Sequence, residues 1–371
     1  MRRGRSVVFH GPGIDLECIE RDVAAPEARQ IIVATTHAGV CGSDVHRLAG
    51  DIPAADARPV YFGHEGIGTV VDVGSDITAD RSGTPIALGD RIFWSPPTPC
   101  GECIHCVAGA STALCERMDW PQSVGRASSA SYQDFATLSS TTPFFRIPDS
   151  TNSDAVIAFG CALPTALGGL RNLGPITGAT VCIQGNGPVG LAATMLCRLA
   201  GAQEIFVIGD PGTRADAALQ LGATDVLVLP TTDRADRHEH LMTATNGRGV
   251  DVVIEAAGHI TAFDEALPLL AKRGRLLILG LYSGSVTTPF DPVLVNNREL
   301  RIVGSLGCPV EVYGRAMELA GEHDSVFGLS EFVTHRFPID RVQDAIATAG
   351  SGIAIKTVVQ PQPSTERGRI Q

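Results

Sequence analysis

Positive charge is scarce in this sequence. Against 29 lysines and arginines stand 40 aspartates and glutamates, for a formal net charge of −11. Aromatic residues make up only 5% of the chain. So acidic a chain with so few rings lacks the basic face and the stacking platform of a nucleic-acid reader, and its charge disfavours an anionic membrane surface. Long apolar runs are missing too. The basic start Met1-Arg2-Arg3-Gly4-Arg5 is followed only by Ser6-Val7-Val8-Phe9 before His10-Gly11-Pro12 interrupts it, which is too short for a secretory core. No run approaches the ~20 apolar residues of a membrane helix. The expectation is a cytoplasmic chain with reduced thiols and neither a nucleic-acid nor a membrane partner.

What is present points elsewhere. A length of 371 residues favours two domains. At 44% hydrophobic and 19% charged, the chain can bury a large core. The 41 glycines suit tight turns and close backbone approaches better than a helical bundle. Ten cysteines in a long chain without an export signal point to metal or catalysis.

The texture changes near residue 150. Before it, β-branched runs such as Ile31–Thr35, Gly68–Val73 and Arg91–Trp94 are broken by glycine, proline and aspartate, as in an irregular β-rich domain. After it, apolar strands at Thr180–Gln184, Glu204–Ile208, Asp225–Leu229, Val250–Glu255 and Arg275–Leu279 alternate with helical patterns at Val189–Leu199, Arg214–Leu221 and Phe263–Leu270. That alternation predicts an α/β fold with a doubly wound parallel sheet. The tail from Pro361 to Gln371 is polar and reads as frayed.

Gly185-Asn186-Gly187-Pro188-Val189-Gly190 fits G-x-G-x-x-G between a strand and a helix, the setting of a Rossmann dinucleotide turn. Gly185 permits the turn, Gly187 lets a pyrophosphate approach, and Gly190 allows close packing beside Pro188 and Val189 at the helix start. About 20 residues on, Asp210 is either a ribose ligand or a turn residue before Pro211. Arg214 suits the ribose, or a 2′-phosphate if Asp210 points away.

Cys100, Cys103, Cys106 and Cys115 lie within sixteen residues. Four thiolates on one loop wrap a tetrahedral zinc with no open position, a structural site. His105 inside the cluster is then solvent-facing. Cys41, the pair His64-Glu65 and Cys161 suggest a second metal, although a lone buried cysteine is more often a small hydrophobe. The other four, Cys18, Cys182, Cys197 and Cys308, read as ordinary buried or partly buried thiols.

Taken in order, Cys41-Gly42-Ser43-Asp44-Val45-His46, Gly63-His64-Glu65, the four-cysteine loop, Cys161 and the Gly185 turn resemble the zinc-dependent alcohol dehydrogenases of the medium-chain dehydrogenase/reductase superfamily, over roughly residues 5–360. The resemblance implies a GroES-like catalytic domain with a structural-zinc lobe over 1–161, a Rossmann domain over 162–306 and a return to the catalytic domain over 307–371. It implies two zinc ions per chain. The catalytic one is held by Cys41, His64 and Cys161, with Glu65 adjacent or alternating and Asp44 orienting His64. Ser43 and His46 match a proton relay, Thr165 a residue at the nicotinamide, and Lys356 a basic contact to the cofactor phosphates. The implied reaction moves hydride between an alcohol, secondary or cyclic, and NAD, in a homodimer or homotetramer. Two departures stand out. Eight residues separate Cys106 from Cys115 where seven are usual, so the loop must bulge. Gly209 falls at the family's acidic position, which keeps NADP, and an NADP-dependent carbonyl reductase, as an alternative. A zinc-binding interaction module and a dinucleotide sensor without catalysis are the readings from other classes.

Overall fold

The computed structural model describes residues 2–52, 59–95, 98–119, 123–229, 231–280 and 287–361. The frayed-tail expectation falls on 362–371, outside the described residues. The chain forms two compact units. One holds Met1–Cys161 together with Pro309–Gln371, and the other holds Ala162–Cys308.

The first unit is built on two sheets. In the larger, Val333–Pro338, Lys356–Gln360, Gln30–Gly39, Gly66–Val73, Arg91–Trp94 and Phe144–Arg146 lie side by side in that order, and Phe135–Ser139 also pairs with Gln30–Gly39. All pairs are antiparallel except the first, which is parallel. Ile31, Val33, Val70, Ile92, Trp94 and Leu138 pack into one core. The Trp94 ring lies so close over Gly66 that a Cβ there would come within 2.2 Å of it, so this crossing requires glycine. The smaller sheet joins Glu17–Val23, Arg2–Phe9 and Val60–Tyr61.

The second unit carries the parallel sheet. Its order is Asp225–Val228, Glu204–Gly209, Thr180–Gln184, Val250–Glu255, Leu270–Ile278, Arg301–Gly304, with every pair parallel. Counted along the chain this is 3-2-1-4-5-6, the doubly wound arrangement. Val181, Cys182 and Ile183 are fully buried because helices cover both faces, which is why the strand reads as an unbroken apolar run. The order reverses between Thr180–Gln184 and Val250–Glu255, so the crevice beyond Gln184 and Glu255 is where such a sheet takes its ligand.

The α/β class expected from the sequence is what the chain adopts. Element ends move by a few residues. The fifth parallel strand begins at Leu270, not Arg275, because Gly274 and Arg273 (φ +64°) carry a kink inside it. The helix Arg234–Ala244 has no apolar stripe to announce it, and starts instead from reciprocal bonds between Asp233 and Asp236. No single helix among the described residues is long and apolar enough to cross a membrane.

Candidate functional site

Three separate segments of the first unit meet at one partly buried point. Cys41 precedes the helix Gly42–Ala49, whose first turn is fixed when Asp44 accepts the Cys41 N–H at 3.0 Å. His64 and Glu65 follow the left-handed Gly63 (φ +93°), at the entrance to the strand Gly66–Val73. Cys161 follows Gly160, at the end of the helix Ser153–Phe159. Donor atoms of Cys41, His64, Glu65 and Cys161 all lie within 4.8 Å of one another. The two sulfurs are 3.1 Å apart.

The surroundings prepare each donor. Asp44 Oδ1 lies 3.2 Å from His64 Nδ1, which leaves Nε2 turned towards the cluster, 3.2 Å from Ser43 Oγ. Tyr132, fully buried, donates its hydroxyl to Asp44 Oδ2 at 2.8 Å. Burial works against charge on both members of the His64–Asp44 pair. Their mutual attraction wins, holding His64 well above the usual imidazole range and Asp44 below the usual carboxylate range. The hydrogen bond from Cys161 holds the Cys41 thiol well below its ordinary value, and the same contact, with burial, pushes Cys161 up. Two sulfurs and an imidazole beside a carboxylate are the donor set of a soft-metal site.

Glu65 is 1% exposed. Its Oε1 accepts the Cys161 N–H at 3.0 Å, and its Oε2 lies 2.5 Å from Lys356 Nζ. Gly39 and Gly160 make the room, since a Cβ on either would fall within 2.1 Å of that carboxylate. This corrects the expectation for Lys356. The ammonium is 2% exposed and committed to Glu65. Against the desolvation that disfavours both charges, Lys356 depresses the Glu65 pKa and Glu65 raises that of Lys356. Lys356 thus lines the Cys41, His64, Glu65 and Cys161 cluster, with its ammonium on Glu65.

Ser43 and His46 sit one turn apart on the helix Gly42–Ala49. The His46 ring is 43% exposed, with Nδ1 2.9 Å from Asp51 Oδ2. A group that reaches solvent at one end of a helix face begun by Ser43 has the geometry to exchange protons with water.

The four cysteines of the loop come together. Sγ atoms of Cys100, Cys103, Cys106 and Cys115 lie within 4.8 Å of one another. The short turn Thr112–Leu114 follows the helix Ile104–Val107, and Cys115 directly after it reaches the cluster. N–H groups of Glu102 and Cys103 point at Cys100 Sγ and lower its pKa to about 6. His105 is half exposed. Cys182, Cys197 and Cys308 are buried, whereas Cys18 is exposed.

In the second unit the Gly185 turn has the required shape. Gly185 (φ +99°) packs against Ala256 and Ala257, and a Cβ on Gly190 would strike the Gly185 carbonyl at 1.8 Å. A Cβ on Gly187 would meet nothing within 4 Å, so the space above the turn is open to a pyrophosphate. Pro188 and Val189 open the helix Pro188–Leu199 with proline in its first turn. Asp210 is exposed just beyond the strand Glu204–Gly209. Arg214 is half-buried in the helix Thr213–Gln220, where burial lowers its pKa against the pull of Asp210. Thr165 is half-buried near the start of the helix Ala162–Leu173. Sequence reasoning missed Tyr132 and Asn186. Tyr132 is marked only by an unusual run of buried serines before it, and Asn186 only by a polar residue inside a glycine turn.

Comparison with known proteins agrees with this geometry. Residues 27–149 match the alcohol dehydrogenase GroES-like domain, and residues 188–322 match the zinc-binding dehydrogenase domain. A 5-exo-hydroxycamphor dehydrogenase of Pseudomonas putida is 34% identical over 93% of this chain and 95% of its own length. The crystal structure of an alcohol dehydrogenase from Thermotoga maritima superposes with a TM-score of 0.90 at 26% identity, covering 98% of this chain and all of that one. A zinc-binding dehydrogenase of Sinorhizobium meliloti, solved with NADP, gives a TM-score of 0.84 at 27% identity over 97% of this chain and all of its own. The chain belongs to the zinc-dependent alcohol dehydrogenases of the medium-chain dehydrogenase/reductase superfamily, and is an oxidoreductase that interconverts alcohols and carbonyl compounds.

Proposed function

We propose that this chain is an NAD-dependent dehydrogenase of secondary or cyclic alcohols, with a catalytic zinc on Cys41, His64 and Cys161 and a structural zinc on Cys100, Cys103, Cys106 and Cys115. The observation that carries the reading is the meeting of Cys41, His64, Glu65 and Cys161 donors within 4.8 Å, with Asp44 orienting the histidine. A zinc ion here supplies the Lewis acidity that lowers the pKa of an alcohol, and a nicotinamide supplies the hydride acceptor. The residues do the rest. Asp44 takes His64 Nδ1 and so turns Nε2 to the side where a metal would be held. With that nitrogen engaged by a bound metal, Ser43 Oγ would accept the substrate hydroxyl proton while handing its own hydroxyl proton on towards His46, one turn along the same helix. His46, whose ring is half exposed, passes the proton to water. Glu65 stands beside the ligand sulfurs, and Lys356 holds its charge in place when it is not a ligand.

The cyclic or secondary substrate is supported by the relative named for 5-exo-hydroxycamphor, a ring alcohol. NAD is supported by Asp210 after the second parallel strand. NADP is the competing cofactor, favoured by Gly209 and by the NADP-bound relative. Ten free thiols support a reducing, cytoplasmic setting, and the family suggests a homodimer or homotetramer. A panel of alcohols offered with NAD and with NADP, followed by nicotinamide absorbance, tests the reading. Turnover of ring alcohols with NAD is expected, and no turnover with any alcohol and either dinucleotide would sink it.

A further inference from the structure

One polar side chain at the dinucleotide turn is not explained by the turn itself. Asn186 is 2% exposed, and its amide is spent on a single residue 24 positions away. Nδ2 donates to the Asp210 carbonyl at 2.7 Å, and Oδ1 accepts the Asp210 N–H at 3.0 Å. Gly185 N–H donates to the Ile208 carbonyl at 2.7 Å. The phosphate turn and the end of the strand Glu204–Gly209 are therefore tied by three hydrogen bonds. Gly209 is a glycine for the same reason. A Cβ there would lie 2.3 Å from Asn186 Cγ and 2.5 Å from its Oδ1, although the backbone at this position needs no left-handed turn. The amide occupies the space of a side chain at 209, where the second strand of such a fold ordinarily ends in the acidic residue that meets the adenosine ribose. The first carboxylate arrives one residue later, on the main chain that Asn186 holds.

We propose that Asn186 is a positioning residue that sets cofactor choice: by excluding a side chain at 209 and clamping the backbone of Asp210, it presents the displaced Asp210 carboxylate to the ribose hydroxyls and against a 2′-phosphate, so that NAD is taken over NADP. The inference rests on the reading of the chain as a dinucleotide-dependent dehydrogenase. Arg214, which feels the Asp210 charge, is held in check as a phosphate partner while that carboxylate stays fixed.

The test is titration of the zinc-loaded protein with NADH and with NADPH, read by nicotinamide fluorescence. The proteins are wild type, Asn186→Ala, Asp210→Asn and the double variant. Wild type is expected to bind NADH more tightly. A hydrogen bond to a charged group carries roughly tenfold in affinity, so each single variant lowers the NADH-to-NADPH affinity ratio by about that factor. The double variant lowers it no further, because both act through one carboxylate. Gly209→Ala, which collides with the clamp, should lower the ratio in wild type and leave it unchanged when added to Asn186→Ala. If Asn186→Ala does not fold, Gly209→Ala and Asp210→Asn decide by the same criterion. A wild type that prefers NADPH, an Asn186→Ala that weakens both dinucleotides equally, or a ratio untouched by Asp210→Asn overturns the proposal. Failure of wild type to bind either dinucleotide strikes the dehydrogenase reading instead.

Discussion

At the scale of single residues, the proposed metal site is a set of charges held by their neighbours. Lys356 and Glu65 are 2% and 1% exposed side chains in contact, and removing one partner of such a pair leaves the other buried and unpaired. Lys356→Met should cost about 3–5 kcal/mol in denaturant unfolding, and a loss below ~1 kcal/mol would show that the pair is not buried in solution. Tyr132 is a subtler case, because its hydroxyl touches only Asp44 and the Gly39 carbonyl. Groups that orient metal ligands typically carry ~10–100-fold in metal affinity, and this one acts a step further out. Tyr132→Phe should accelerate zinc transfer to a chelator by up to about tenfold, with Tyr132→Leu no milder, and an unchanged rate would remove Tyr132 from the account. The four-cysteine group was legible in the sequence because its spacing is local, C-x2-C-x2-C, whereas Cys41, His64-Glu65 and Cys161, up to 120 residues apart, were joined only through the family resemblance. Tyr132, Lys356 and Asn186 were not legible, or were misplaced, because their partners lie 88, 291 and 24 residues away.

At the scale of elements, legibility followed burial. The strand Thr180–Gln184 has both faces covered and only Val181, Cys182 and Ile183 between its polar ends, so a short apolar run marks it. The helix Arg234–Ala244 buries only Arg237 and Leu241, and Arg237 reaches Glu265 as a buried ion pair at 2.7 Å. A helix that packs through a salt bridge has no apolar period to read. Strand ends carry the ligand chemistry. Glu255 closes the fourth parallel strand, where its Oε1 accepts the N–H groups of Ala257 and Gly258. Burial raises its pKa despite those bonds. A carboxyl with a raised folded pKa contributes stability that is full below its unfolded value, near 4.3 for glutamate, and is lost as pH rises through the folded value. Glu255→Gln removes that titration. The stability of wild type relative to Glu255→Gln should therefore fall as pH is raised from about 4 towards neutrality, measured by urea unfolding. A difference that stays flat or grows with pH would contradict the assignment.

At the scale of the whole molecule, the sequence divides where its texture changes, near residue 150, and the first compact unit runs to Cys161 before resuming at Pro309. What composition could not tell was that the last segment rejoins the first sheet, with Lys356–Gln360 pairing against Gln30–Gly39 and bringing Lys356 to Glu65. Strand pairing across more than 300 residues leaves no local trace. Six of the ten cysteines fall into two groups with the geometry to hold a metal ion, both within the first unit. The account therefore stands on the separate identity of those two sites. Its most direct test is the zinc content of wild type and Cys41→Ser, each also assayed for alcohol oxidation and NADH binding. The account predicts two zinc ions per chain in wild type and one in Cys41→Ser, with turnover abolished and NADH binding retained. Two zinc ions in Cys41→Ser, or alcohol oxidation that survives the substitution, would contradict it.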